Sequence, residues 1–243
     1  MTLAQGSFTP PRGVEKRSYV RKMFSAIAPR YDLLNHLLSL NIDRLWRRRA
    51  VRVLNWEAVP DGRYLDLCSG TMDLAAELAR KPNFRGSVIG ADFAVPMLRH
   101  GVGKAKRAVH PVGADALDLP FPGGRFDGCT VGFGVRNLSH LEQGLREAAR
   151  VLAPGARLVV LEFSTPRRWP ARPLYLFYFQ RVLPWIGRRV SRHRTAYEYL
   201  PSSVLDFPEP EEFAAVMGRA GFRNVEVRKL TFGIAMLYVG VRA

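Results

Sequence analysis

One stretch constrains the fold more than any other: Tyr64-Leu65-Asp66-Leu67-Cys68-Ser69-Gly70-Thr71-Met72-Asp73-Leu74-Ala75. A short apolar run includes an acid, passes through small residues and enters a helical pattern. That order is a strand feeding a tight loop that opens a helix, the layout by which α/β proteins offer backbone N–H groups to a ligand. A second apolar run, Val88-Ile89-Gly90-Ala91, ends in Asp92. An acid at that place is where a nucleotide-binding βαβ unit meets ribose hydroxyls. Together the two segments narrow the ligand to one containing adenosine.

The rest of the chain continues the alternation. Strands are expected near 63–68, 87–92, 109–113, 126–133, 156–163, 223–230 and 234–242, with helices near 72–80, 94–106, 139–152 and 209–220. Pro154-Gly155 reads as a turn before the fifth strand, and Gly221 closes the last helix. Such alternation predicts an α/β fold, a mostly parallel sheet with helices on both faces. The last two strands are joined by Leu230-Thr231-Phe232-Gly233, so one edge strand should run antiparallel. Ahead of the sheet, residues to about Ser18 read as loose, and Tyr19 to Trp56 as helical with a break at Pro29. The division expected is a tail and helical cap over 1–60, a cofactor-binding core over 61–165, an aromatic and basic lid over 166–208, and a closing helix with edge strands over 209–243.

The 243 residues are 47% hydrophobic and 24% charged, an ordinary globular balance. No signal-peptide pattern or membrane-spanning run is visible, Cys68 and Cys129 read as buried thiols, and a cytoplasmic protein without a metal is expected. The charge is uneven. Of a net +16, residues 1–60 carry +7 and residues 166–195 carry +8, mostly as arginine. The core is nearly neutral, and its flanks suit phosphate or anionic headgroups.

Competing nucleotide motifs fail on spacing. Thr71 and Met72 follow Gly70, so the three-glycine dinucleotide fingerprint is absent, and no Gly-Lys-Ser/Thr phosphate loop occurs. What remains is the order found in S-adenosylmethionine-dependent methyltransferases. Asp66 would orient the loop, Gly70 and Thr71 would approach the methionine end, and Asp92 would take the ribose. Asp115-Ala116 would meet the adenine, the acid accepting from its amino group and the alanine leaving room for the ring. A plain turn role for Asp115 stands beside that reading. The segment from Phe126 to Leu138 brings Gly132 and the Phe133-Gly134-Val135-Arg136-Asn137 loop to the topological switch point, where reacting groups belong. The Asn-Pro-Pro-aromatic and Pro-Cys signatures of nucleic-acid base methylases are missing.

The chain also resembles the quinone-biosynthesis C-methyltransferase family, which makes menaquinone and ubiquinone by methylating a prenylated ring. The motifs are Met23 to Asp32, Asn35-His36, Asp43 to Arg47, Phe133 to Asn137, Leu161 to Ser164, and Tyr197 to Ser203. The resemblance implies a class I methyltransferase fold, S-adenosylmethionine bound by Asp66, Gly70, Thr71, Asp92, Asp115, Ala116 and Gly132, and demethylmenaquinol as acceptor. A benzoquinol of ubiquinone synthesis is the alternative acceptor. Met72 stands where a second glycine is expected. At positive φ a methionine there would cost about 1–2 kcal/mol, which would weaken binding roughly 5–30-fold. Gly132 replaces a usual serine or alanine, Phe232-Gly233 a glycine pair, and Tyr238 a histidine.

An aromatic carbon attacks a methyl group only once the quinol hydroxyl has lost its proton. Arg136 is the candidate for stabilising the phenolate and Asn137 for fixing the ring. Arginine is too basic to take the proton itself, which points to water. Tyr31 and Asp32 would close over the ring. Against this, Arg136 pairing with an acid and Asn137 capping the next helix remain open. The lid over 166–195 would receive the prenyl tail and meet anionic lipid. A homodimer is compatible with the sequence, and no nucleic-acid partner is expected. An RNA methyltransferase, motivated by clustered arginines, and a degenerate scaffold, motivated by Met72, are the rival readings.

Overall fold

A computed structural model describes residues 13–32, 39, 41–104, 108–166, 173, 175, 177 and 194–243. Most of the lid's first part, between 167 and 193, and the Asn35-His36 motif lie outside them.

Seven strands form one sheet: β1 Arg63–Leu67, β2 Ser87–Asp92, β3 Val109–Gly113, β4 Phe126–Gly132, β5 Leu152–Phe163, β6 Phe222–Leu230 and β7 Ala235–Arg242. Their order is β3-β2-β1-β4-β5-β7-β6. The first five pair in parallel, and β7 pairs antiparallel with both β5 and β6. The antiparallel member is thus β7, one place in from the edge, with β6 outside it. The tight turn between them forces that pair to be antiparallel.

Described helices are α1 Gly13–Ile27, α2 Ile42–Val53, α3 Asp73–Ala79, α4 Val95–Gly101, α5 Leu141–Val151, α6 Arg194–Leu205 and α7 Pro210–Arg219. Strand periodicity divides the core into two layers. Leu65, Leu158 and Val160 face the layer of α5 and α7, while Tyr64, Val159 and Leu161 face the layer of α2 and α3. Both faces of the central strands are therefore buried, as continuous apolar runs require. A smaller cluster joins α1 to α6 through Val20, Met23, Tyr199 and Val204.

Three local expectations differ from the structure. The helix of α1 begins at Gly13, within the stretch expected to be loose, because Lys16 donates to the carbonyls of Arg136 and Leu138 at 2.8 and 3.0 Å. Pro154-Gly155 lies inside β5, where Gly155 has φ +82° and the ladder to β4 shifts register. The helix expected over 94–106 ends at Gly101, two residues before Gly103 at φ +95°.

Candidate active site

Parallel strands release their loops at one end of a sheet, and the order reversal between β1 and β4 opens a crevice there. Past β1 the chain turns through Cys68, Gly70 and Met72, all at positive φ. Two acids hold this turn. Asp66 is buried, accepting from the Thr130 hydroxyl at 2.9 Å and from the Ala75 N–H, in the first turn of α3, at 3.0 Å. Burial pushes its carboxyl up to about 7. Asp92 accepts from the N–H groups of Gly70 and Ala94, both at 2.8 Å, and burial raises its pKa too.

The resulting cavity encloses about 680 Å³, its open mouth included. It is lined by Gly70, Asp92, Asp115, Ala116 and Gly132 from the sheet end and by Tyr31 and Asn137 from the loops around it. Those seven are sequence-derived site residues brought together. Three others do not line it. Asp66 sits behind the loop and ties β1, β4 and α3 together. Thr71 is buried, its hydroxyl donating to Asp32 at 2.5 Å.

Arg136 is the third, and its placement corrects the expectation of direct phenolate contact. The side chain is buried, its guanidinium 2.6 Å from Glu162 and also donating to the Phe133 carbonyl. An arginine withdrawn from water needs such acceptors, and here they lie away from the cavity. Its Nε has no hydrogen-bond partner among the described residues. The residues around it explain the loop. Phe133 takes φ +58°, and Gly134 approaches β1 so closely that a Cβ would lie 2.4 Å from that of Cys68. Only glycine fits.

Asn137 does not cap the following helix, whose N-cap is His140. Its Nδ2 donates to the Phe133 carbonyl at 3.3 Å, and its Oδ1 accepts from the Tyr199 hydroxyl at 3.0 Å. Burial raises the Tyr199 phenol to about 12, so it remains protonated and a donor.

Sequence reasoning missed Tyr199 as a site neighbour, although it lies in a quoted motif. It also missed Lys16 and Arg17, which lie in the stretch expected to be loose. Burial lowers the Lys16 pKa, and Arg136 adds to that shift. Arg17 pairs with Asp115, which also accepts from the Leu117 N–H at 3.0 Å. A further chain of charge lies behind Thr71. Lys104 bridges Asp32 at 2.5 Å and Asp73 at 2.6 Å, and Arg47 joins Asp73 at 3.0 Å to Asp43 at 2.5 Å. This network fastens the N-terminal cap to the loop after β1.

Met72 has φ +62°, the strained case for a non-glycine residue. Its side chain fills the space above Gly90 and Gly101, where an added Cβ would come within 2.8 Å of it. The strain is offset by burial of the thioether. Gly132 likewise leaves room for Leu74, whose Cδ1 would meet a Cβ at 2.7 Å. Tyr238 is a core residue packed edge-on against Phe213, ring centres 4.7 Å apart.

Comparison with known proteins agrees with this geometry. The model of the ubiE/COQ5 methyltransferase family matches residues 12–242. The chain is 52% identical over 224 residues to a demethylmenaquinone methyltransferase of Thermus thermophilus, covering 90% of this chain and 100% of the relative. It is 47% identical over 236 residues to the ubiquinone/menaquinone biosynthesis C-methyltransferase UbiE of Geobacter sulfurreducens, covering 94% and 90%. Among solved structures, a SAM-dependent methyltransferase of Thermotoga maritima superposes with a TM-score of 0.63 at 19% identity, over 91% of this chain and 99% of that one. That likeness establishes the fold.

Proposed function

This chain belongs to the ubiE/COQ5 methyltransferase family and is an S-adenosylmethionine-dependent C-methyltransferase of quinone biosynthesis, and we propose that its acceptor is demethylmenaquinol, methylated to menaquinol. The observation that carries the reading is the convergence of Gly70, Asp92, Asp115, Ala116 and Gly132 on one cavity whose other wall holds Tyr31 and Asn137. One side has the donors, acids and small residues that suit a nucleoside; the other has groups able to grip a ring.

The residues present fit the cofactor. Gly70 has φ +55° and no side chain between its backbone and the cavity, and the acids lie along the same wall. Asp92 and Asp115 would hold ribose and adenine, Ala116 and Gly132 would leave space, and Asp66 and Thr71 would act by fixing the loop. When bound, S-adenosylmethionine supplies an electrophilic methyl group.

On the acceptor side, Asn137 orients the ring. Both ends of its amide are anchored, which fixes which edge it presents and lowers the entropy cost of alignment. Tyr31 packs edge-on to Phe24, ring centres 5.8 Å apart, and shields the cavity from water. Arg136 works at one remove: paired with Glu162, it holds the Phe133–Asn137 turn. The aromatic and basic segment 166–195 is read, from its sequence, as the place of the prenyl tail. No described helix is long and apolar enough to cross a membrane.

The test is incubation with labelled S-adenosylmethionine and reduced demethylmenaquinone. Menaquinol is the expected labelled product. Bound cofactor without labelled quinone would refute the acceptor, and preference for a benzoquinol would move it to ubiquinone synthesis.

A further inference from the structure

We propose that the outer face of α2, together with the turn between β6 and β7, is a docking surface for an anionic lipid bilayer. On α2, Asp43, Trp46, Arg47, Ala50 and Val51 are buried. The opposite arc carries Arg44, Leu45, Arg48, Arg49 and Arg52, all exposed, with Leu45 at 63%. At 100° per residue these five positions fill one continuous strip. None of the four arginines has an acidic partner among the described residues. Among the described residues, nothing in the fold uses the strip's charge.

The adjoining turn supplies the apolar tip. Phe232 is 85% exposed and has φ +57°. Neither the exposed ring nor the strained backbone helps the folded chain, the combination expected where a residue is kept for a partner. The turn is tied to α2, because Trp46 Nε1 donates to the Thr231 hydroxyl at 2.8 Å.

Sheet polarity puts the turn and the N-terminal end of α2 at the cavity's end, while Val53, at the other end of the helix, accepts from Arg157 at 2.9 Å. Ala235, at the start of β7, pairs with Phe163, at the carboxyl end of β5, so the turn lies where the parallel strands finish. One aromatic wall separates surface from cavity. Phe133 lines the cavity and stacks on Phe163 at 4.4 Å, and Trp46 lies 6.2 Å from each of them. Arginines around a leucine and a protruding phenylalanine suit the headgroup boundary, where guanidinium groups meet lipid phosphate and the apolar tips sink below it. Nucleic acid fits less well, since Leu45, in the midst of the arginines, offers no stacking face. The proposal rests on the prenylated acceptor only in giving the surface a purpose.

The experiment is co-sedimentation of the full chain with phosphatidylcholine vesicles, with and without phosphatidylglycerol, at low and high salt. Partition should rise with phosphatidylglycerol and fall with salt. Replacing Arg44, Arg48, Arg49 and Arg52 by Gln should reduce it about fivefold for each arginine removed. Phe232→Gly, which suits the positive φ and so keeps the fold, should also reduce it several-fold. Both variants should methylate a short-tailed quinol in detergent as the parent does. Salt-independent binding, parent-like partition by both variants, or retention by RNA without vesicle binding would each overturn the surface. Failure of the parent to methylate the detergent-dissolved quinol would count against the acceptor instead, and leave the vesicle result to judge the surface.

Discussion

The Tyr199 hydroxyl donates to Oδ1 of Asn137 across 62 positions of sequence, at 3.0 Å. It joins α6 to the loop after β4 and sets the orientation of the one cavity amide in that loop. Tyr199→Phe should therefore lower kcat for methylation about 2–10-fold, the worth of one ordinary hydrogen bond. Calorimetric affinity for S-adenosylmethionine should not change. An equal loss in cofactor affinity would mean that the phenol supports the fold and not the ring.

Asp92 is predicted to be indispensable to the cofactor. Asp92→Ala removes the proposed ribose acceptor and leaves the Gly70 and Ala94 N–H groups without theirs, at about 1–3 kcal/mol for each if it stays unpaired. Titration should show affinity at least tenfold weaker while circular dichroism keeps the native spectrum. Unchanged affinity would exclude the ribose role.

Asp66 gives stability a pH dependence of defined sign. Its folded pKa, about 7, lies above its unfolded value. The native state therefore binds more protons between those limits, and this group's contribution falls as pH rises from about 4 to about 7. Asp66→Asn removes the titration. Urea unfolding at several pH values should show the parent losing stability relative to the variant over that interval. Parallel profiles would contradict the raised pKa.

Lys104 lies between Asp32 and Asp73, so Lys104→Met leaves two partly buried carboxylates without their common cation. A loss of about 1–3 kcal/mol of stability is expected. Because Asp32 holds Thr71, cofactor affinity should fall several-fold as well. Stability lost with affinity intact would show that the cap and the loop are independent.

Met72→Gly separates strain from packing. Relief of the positive φ is worth about 1–2 kcal/mol, and loss of a buried methionine costs about 2–5 kcal/mol. The variant should be less stable by roughly 1–3 kcal/mol and bind the cofactor within about threefold of the parent. A tenfold gain in affinity would mean that the strain bears on binding after all.

The sheet was legible because its signals are local. The central strands β1, β2 and β4 are short apolar runs with their own stops, and the strands ahead of Asp66's loop, Asp92 and Asp115 fell where spacing put them. The site's outer wall was less so. Lys16, Arg17 and Tyr199 act on residues far away in sequence, and a basic or phenolic side chain on a helix carries no mark of what it will meet. Arg136 shows the same limit from the other side. Its loop stood out by its place after the fourth strand, but whether its guanidinium faces the cavity or Glu162 depends on a residue 26 positions later, at the end of β5. Met72 was legible as an oddity, and its compensation was not, because Gly90 and Gly101 make room for it from two other elements.

The ion pair between Arg17 and Asp115 has a consequence for the cap. If Asp115 is to receive the adenine amino group, the nucleoside and the first helix draw on a single carboxylate, which has lone pairs for both. A helix that looks like a fixed cap would then be linked to the nucleoside through one side chain, and ionic strength, by loosening the arginine's contact, would weaken that link.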